Sequence, residues 1–187
     1  MVQKIYTKKG DFGDTRLFSG EVVSKSDARV QAYGTLDELQ ASLGMVRALA
    51  TIPSIRDMLF GIQQDLSVAC AQLASTPEAS SRLGRRIVGE DATRLEQFID
   101  TLVATYGLPN GFIVPGRSVD SAAAHVARTV CRRAERLVVQ LNRESTLFDD
   151  ICKYLNRLSD FLFALAWSLE VCFVIESVVR EVLENKK

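Results

Sequence analysis

Three arginines, Arg128, Arg132 and Arg136, follow one another at i, i+4 and i+8 in the stretch GFIVPGRSVDSAAAHVARTVCRRAERLVVQLNR (111–143). On a helix this spacing stacks three guanidiniums along one face. His125 and Glu135 share the arc, and Arg133 stands beside it. Its cations are all Arg, and Arg suits planar, bidentate contacts to phosphate or carboxylate. Solvated helix faces more often mix Lys with Glu. Periodicity alone leaves two readings open, an anion site and a solvated face.

A second group with anion-binding chemistry lies in residues 1–27, MVQKIYTKKGDFGDTRLFSGEVVSKSD, where Gly10, Gly13 and Gly20 sit among Thr, Lys and Asp. Backbone N–H groups of such a loop, with an ammonium, can cradle phosphate, although the GxxxxGK[ST] pattern is absent. Asp37 is a third polar candidate, beside Tyr33, Gln40, Ala41 and Gly44.

These residues need a scaffold, and the apolar pattern predicts a helical one. The expected fold is all-α, a bundle of about five helices over 28–187 behind an irregular arm at 1–27, all in one domain spanning 1–187. The first helix, about 28–50, turns Leu36, Leu39, Leu43 and Val46 inward. The second follows Pro53 and buries Ile55, Leu59, Ile62, Leu66, Ala69 and Leu73. After a Ser/Pro/Gly-rich loop at 75–86, a third, about 91–106, buries Leu95, Phe98, Ile99 and Leu102. The fourth carries the arginines, with Ser118 as N-cap, Asp120 in its first turn, and a core stripe of Val119, Ala123, Val126, Val130, Ala134, Leu137 and Leu141. The last runs from about Asp149 to about Leu183. One stripe (Ile151, Leu155, Leu158, Phe161, Leu162, Leu165, Leu169) faces the bundle. The other (Phe163, Trp167, Val171, Val174, Val178), opened by Asn156 and Asp160, asks for a second partner, most economically another subunit.

Composition sets limits. The 187 residues carry 23 Lys+Arg against 23 Asp+Glu, which argues against a nucleic-acid-coating protein. Four scattered cysteines without CxxC spacing read as buried residues of a reducing compartment. The start MVQKIYTKKGD lacks an apolar signal core, and Phe161–Ile175 is interrupted and short for a bilayer span, so a cytoplasmic protein without a membrane is expected. A di-iron bundle site needs two Glu-x-x-His pairs, and the chain has one histidine. Zinc lacks clustered ligands, and a Ser-His-Asp hydrolase lacks GxSxG.

Four stretches in order, YTKKGDFGDTRLFSGE (6–21), RVQAYGTLDEL (29–39), FIVPGRSVDSAAAHVARTVCRRAER (112–136) and YLNRLSDFLFALAW (154–167), resemble the PduO-type ATP:cob(I)alamin adenosyltransferases. The resemblance implies a five-helix bundle, a homotrimer, and sites between neighbouring subunits. It implies transfer of the 5′-deoxyadenosyl group of ATP to cob(I)alamin, with triphosphate released. ATP-binding positions fall on Thr7, Lys8, Lys9, Gly10, Thr15, Arg16 and Lys25 of the arm, then on Arg132, Arg133, Glu135, Arg136 and Asn156. Phe112 matches the aromatic residue that crowds the lower face of the corrin, and Asp37 and Arg128 match a pair bridging subunits beside it. Mg²⁺ is expected with the ATP phosphates, with no protein ligand for it assigned. An external flavin-type reductase is expected to supply the reduced cobalamin, and an adenosylcobalamin-dependent mutase or dehydratase to receive the product. Arg117, Gln40 and Trp167 depart from the family pattern, which more often has Gly, Asn and Arg there. A non-catalytic corrinoid or nucleotide carrier is the alternative of another class.

Overall fold

The computed structural model describes residues 5–6, 8–143 and 146–185. In chain order the elements are β1 (Asp14–Arg16), β2 (Val22–Ser24), α1 (Ala28–Leu49), α2 (Pro53–Leu73), α3 (Pro77–Ser80), α4 (Gly89–Tyr106), α5 (Val119–Leu141) and α6 (Asp149–Glu184). The chain is mostly helical, as its periodicity predicts. Among the described residues there are six helices, because the loop at 75–86 winds a short turn, α3, whose N-cap Thr76 accepts the Ala79 N–H at 3.2 Å.

The arm departs from the irregular chain expected of it. β1 and β2 form an antiparallel hairpin with Thr15 opposite Val23. Its turns need left-handed backbone at Gly13 (φ 94°) and Gly20 (φ 95°), which glycine adopts without steric cost. Each strand has three residues, too few for an alternating pattern to register in the sequence. Buried Leu17 and a bond from the Ser19 N–H to the Ala74 carbonyl seat the hairpin against the end of α2.

α5 packs most extensively against α6 and α1, α6 also against α4, and α1 also against α2. The inward stripes of α1 and α2 are buried as expected, and so is the first stripe of α6. In α4, Leu95 and Leu102 are buried, while Phe98 and Ile99 are half-buried. The stripe predicted for α5 needs correction. Ala123, Val130 and Ala134 are buried, but Val119 and Val126 are 73% and 50% exposed. The buried arc turns instead toward Ala124, Ala127, Cys131 and Val138, and takes in His125. Wedged between α1 and α6, α5 buries a wide arc of small side chains that let both neighbours approach. Its larger valines are left at the edge.

α6 is long enough and apolar enough, by length and composition alone, to cross a membrane, where the interrupted run at 161–175 suggested a segment too short to do so. The difference lies in Val178 and Val179, which prolong the apolar run past Ile175 and are about half exposed. The earlier part of α6, from Ile151 to Leu169, is instead the bundle's central wall.

One buried polar network ties three helices together. Asp65 on α2, 3% exposed, accepts from the Tyr154 hydroxyl of α6 at 2.9 Å and from Arg94 of α4, and pairs with Arg85 at 2.8 Å. Asp91 accepts from Arg85 at 2.7 Å and lies 3.2 Å from Arg94. Burial first, then the Asp65 charge, holds the Tyr154 hydroxyl protonated far above the usual phenol range.

Candidate functional site

The chemistry-bearing residues fall into three places. The first is the hairpin arm. Lys9, Gly10, Thr15, Arg16 and Lys25 line one basin of about 470 Å³, with Asp14 and Val22. A Cβ at Gly10 would come within 3.2 Å of both the Asp14 carbonyl and the Lys25 ammonium, so the loop is closely packed there. Lys8 takes φ 59°, a left-handed conformation uncommon for a side chain other than Gly, Asn or Asp. Arg16 donates to the Gly20 carbonyl at 2.5 Å, so its guanidinium also braces the hairpin turn. Thr7 lies outside the described residues.

The second place is the C-terminal half of α5. Arg132, Arg133, Glu135 and Arg136 line a cleft of about 670 Å³ together with Gln140 and Arg143. Arg143 was missed in the sequence reading, although its i+7 spacing from Arg136 continues the ridge. Asn156 reaches across from α6 to donate to Glu135 Oε1 at 2.9 Å, which fixes the carboxylate between the arginines. Arg133 is engaged by Glu38 of α1, an exposed ion pair that shares its guanidinium between the cleft and that helix. No group of three or more His, Cys, Asp or Glu side chains able to hold a metal ion occurs among the described residues.

The third place lies toward the N-terminus of α5. Ser118 caps this helix, accepting the Ser121 N–H at 3.3 Å, and Gly116 (φ 122°) turns the preceding loop. That loop presents Phe112 fully exposed, so the ring is not core packing. Phe112, Ile113, Pro115, His125, Arg128 and Phe163 line a cavity of about 450 Å³. Arg128 thus opens here, not into the cleft of Arg132 and Arg136, and the three-arginine ridge is divided between two sites. Asp37 is exposed on α1, and no ion pair joins it to Arg128 among the described residues of the chain.

The three positions that depart from the family pattern are all engaged. Arg117 lies 3.7 Å from Glu170 of α6. Gln40 accepts from Ser67 at 3.0 Å, joining α1 to α2. Trp167 donates to the Tyr106 carbonyl at 3.3 Å, joining α6 to the end of α4. The cysteines are free thiols, and burial first, then Asp37, pushes Cys70 up to about 11, which leaves it an inert thiol.

The helical bundle thus presents a cationic arm, an arginine-lined cleft and an aromatic-mouthed cavity. The family model for cobalamin adenosyltransferase matches residues 5–169. The chain is 45% identical over 163 residues to a corrinoid adenosyltransferase of Citrobacter freundii, covering 87% of this chain and 93% of that one. It is 43% identical over 178 residues to the corrinoid adenosyltransferase PduO of Salmonella typhimurium, covering 95% of this chain and 53% of the relative, about half its length. Among solved structures, a phenylalanine-to-alanine variant of the PduO-type ATP:corrinoid adenosyltransferase from Lactobacillus reuteri, complexed with cobalamin and ATP, superposes with a TM-score of 0.82 at 36% identity, over 89% of this chain and 93% of that one. An arginine-to-lysine variant from the same organism, complexed with ATP, gives 0.79 at 36% identity over 89% and 94%. The chain belongs to the cobalamin adenosyltransferase family.

Proposed function

We propose that this protein transfers the 5′-deoxyadenosyl group of ATP to the cobalt of cob(I)alamin, releasing triphosphate and forming adenosylcobalamin. The observation that supports this reading is that α5 lines both an arginine-rich cleft and an aromatic-mouthed cavity, one helical turn apart. Arg132 and Arg136 face a cleft suited to a polyanion, while Arg128 and Phe112 face an apolar cavity suited to a macrocycle. Four residues of helix span about 6 Å, close enough for the two substrates to meet at a single reacting pair of atoms.

In the reaction the cobalt(I) electron pair attacks C5′ of ATP, the Co–C bond forms, and the C5′–O bond breaks with its electrons leaving on triphosphate. The cobalt is itself the nucleophile, so the protein needs no general base; it contributes positioning and charge. Arg132 and Arg136, with Lys8, Lys9 and Lys25 of an arm, bind the triphosphate with its Mg²⁺ and stabilise the charge that grows as it leaves. Glu135, held by Asn156, orients the guanidiniums. Phe112 keeps the lower axial position of the cobalt empty, which eases reduction to cobalt(I).

The arm basin and the arginine cleft share no lining residue within one chain. That separation supports a homotrimer in which the arm of one subunit completes the cleft of the next, with the outer stripe of α6 and the Asp37–Arg128 pair at the contact. A cytoplasmic setting, an external flavin-type reductase and an adenosylcobalamin-dependent mutase or dehydratase downstream complete the reading. The test is turnover: cob(I)alamin and MgATP under anaerobic conditions should give the adenosylcobalamin spectrum and one triphosphate per cobalt. A chain that binds both substrates and forms neither product is a carrier instead.

A further inference from the structure

The N-terminal half of α5 holds three polar side chains whose hydrogen-bonding capacity is unspent. Ser121, His125 and Arg128, spaced i, i+4 and i+7, each keep buried atoms without a partner among the described residues: Ser121 Oγ, both ring nitrogens of His125, and Arg128 Nε. Across from them, Glu170 of α6 buries an Oε2 that is likewise unpartnered. Ser121, His125 and Glu170 are 0%, 5% and 7% exposed, so water does not readily replace the missing bonds. A buried polar group left unsatisfied costs about 1–3 kcal/mol, and two of these four, His125 and Arg128, line a cavity from which a partner could reach them. The 450 Å³ cavity beside them is lined by His125 and Arg128, and its other walls are Phe112, Ile113, Pro115 and Phe163. The Phe163 ring meets His125 edge-on at 6.3 Å, so one side of the imidazole is already packed and its nitrogens are what remain to be used.

We propose that His125, with Arg128 Nε beside it, is a specificity contact that reads a peripheral primary carboxamide of the corrinoid. This rests on the corrinoid occupying the Phe112 cavity. A corrin ring is largely apolar on its faces and carries neutral carboxamides around its rim, each offering N–H donors and a carbonyl acceptor. A neutral imidazole offers one donor and one acceptor, which match that pair of groups, and Arg128 Nε adds a donor for the carbonyl. Burial first, then the neighbouring Arg128 charge, lowers the His125 pKa against the opposing pull of Glu170, so the ring is neutral at pH 7. His125 takes no part in bond making. It sets which edge of the macrocycle enters, and hence how the cobalt is presented to C5′.

The experiment titrates cob(II)alamin into the MgATP-loaded protein, for wild type, His125→Phe and His125→Gln, and repeats it with cobalamin mono-acids in which one rim amide is hydrolysed. Loss of one neutral hydrogen-bonded contact predicts a cobalamin affinity about 5–10-fold weaker in His125→Phe, with ATP affinity and oligomeric state unchanged. His125→Gln, which keeps a donor and an acceptor, should recover most of it. Wild type should separate at least one mono-acid from cobalamin, and His125→Phe should treat the two alike. Equal cobalamin affinity in wild type and His125→Phe overturns the contact alone. A weakened assembly with unchanged cobalamin affinity also overturns it, since a neighbouring subunit would then be the occupant. A wild-type protein that binds no corrinoid overturns the functional reading as well. Should His125→Phe not fold, His125→Leu, which also removes the donor and the acceptor, decides: loss of the discrimination between mono-acid and cobalamin supports the contact, and discrimination as in wild type overturns it.

Discussion

Two buried polar clusters in this bundle have opposite fates. Around Asp65, both carboxylate oxygens are taken up, by Arg85, Arg94 and the Tyr154 hydroxyl, and Asp91 closes the circle. Around His125, four side chains keep buried atoms that no partner among the described residues satisfies. The first cluster is complete within one chain and holds α2, α4 and α6 in place. The second is complete only with something added. Buried charge alone therefore does not mark a functional site; unsatisfied buried polarity beside an open cavity does.

The largest expected effect breaks the closed cluster. Asp65→Ala leaves the buried Tyr154 phenol without its acceptor and Arg85 and Arg94 with Asp91 alone; an unsatisfied buried hydroxyl costs about 1–3 kcal/mol, and the two weakened guanidinium contacts add to it. Denaturant unfolding should show this loss, while ATP affinity of the folded fraction stays near wild type. Next comes the arginine cleft. Charge-assisted contacts to phosphate are worth about 1.5–3 kcal/mol, so Arg132→Ala should lower kcat/KM by about 10–100-fold, mainly in the ATP term. Arg128→Ala, one turn away, should instead weaken cobalamin affinity or assembly more than ATP affinity; equal loss of ATP affinity in both variants would join the two arginines in one phosphate clamp.

Phe112→Ala should leave ATP binding nearly intact while kcat falls, because the exposed ring supports no core and only the exclusion of the lower axial ligand is lost. A matching loss of stability would show that the loop at 107–118 leans on it. The smallest effect concerns pH. His125 has a lowered pKa in the fold, so the unfolded chain binds its proton more readily. Its contribution to stability is present above the unfolded value near 6.5 and is lost as pH falls below it, through the lowered folded value. Thermal unfolding of wild type should therefore weaken more between pH 7 and pH 5 than that of His125→Gln, with the other titrating groups common to both.

Much of this was legible in the sequence. The 3.6-residue period of Leu36, Leu39, Leu43 and Val46, the Pro at the start of α2 and the Ser118 cap placed the helices to within a residue or two. The arginine spacing left an anion site and a solvated face both open, and the CRRAER and NRLSD stretches pointed to a family. The rest depended on tertiary position. The α5 stripe was displaced because a helix held between two neighbours buries a wide arc of alanines that hydrophobic pattern undervalues. His125 therefore read as part of a polar face, when it lies inside. The Asp65 network joins residues 89 positions apart in sequence, and no local pattern connects them. The arm hairpin escaped notice because its three-residue strands hold too little of the two-residue pattern to stand out.

The central claim is that each active site needs the arm of one chain and the arginine cleft of another. Complementation measures this directly. Lys25→Ala disables the arm and Arg132→Ala the cleft, and chains of the two kinds are co-refolded into mixed assemblies verified by differential tagging. If sites form between subunits, random mixing joins an intact arm to an intact cleft at roughly one interface in four, so turnover should rise to about a quarter of wild type from two nearly inactive parents. A verified mixed assembly no more active than its parents would place both halves of the site in one chain and contradict the account.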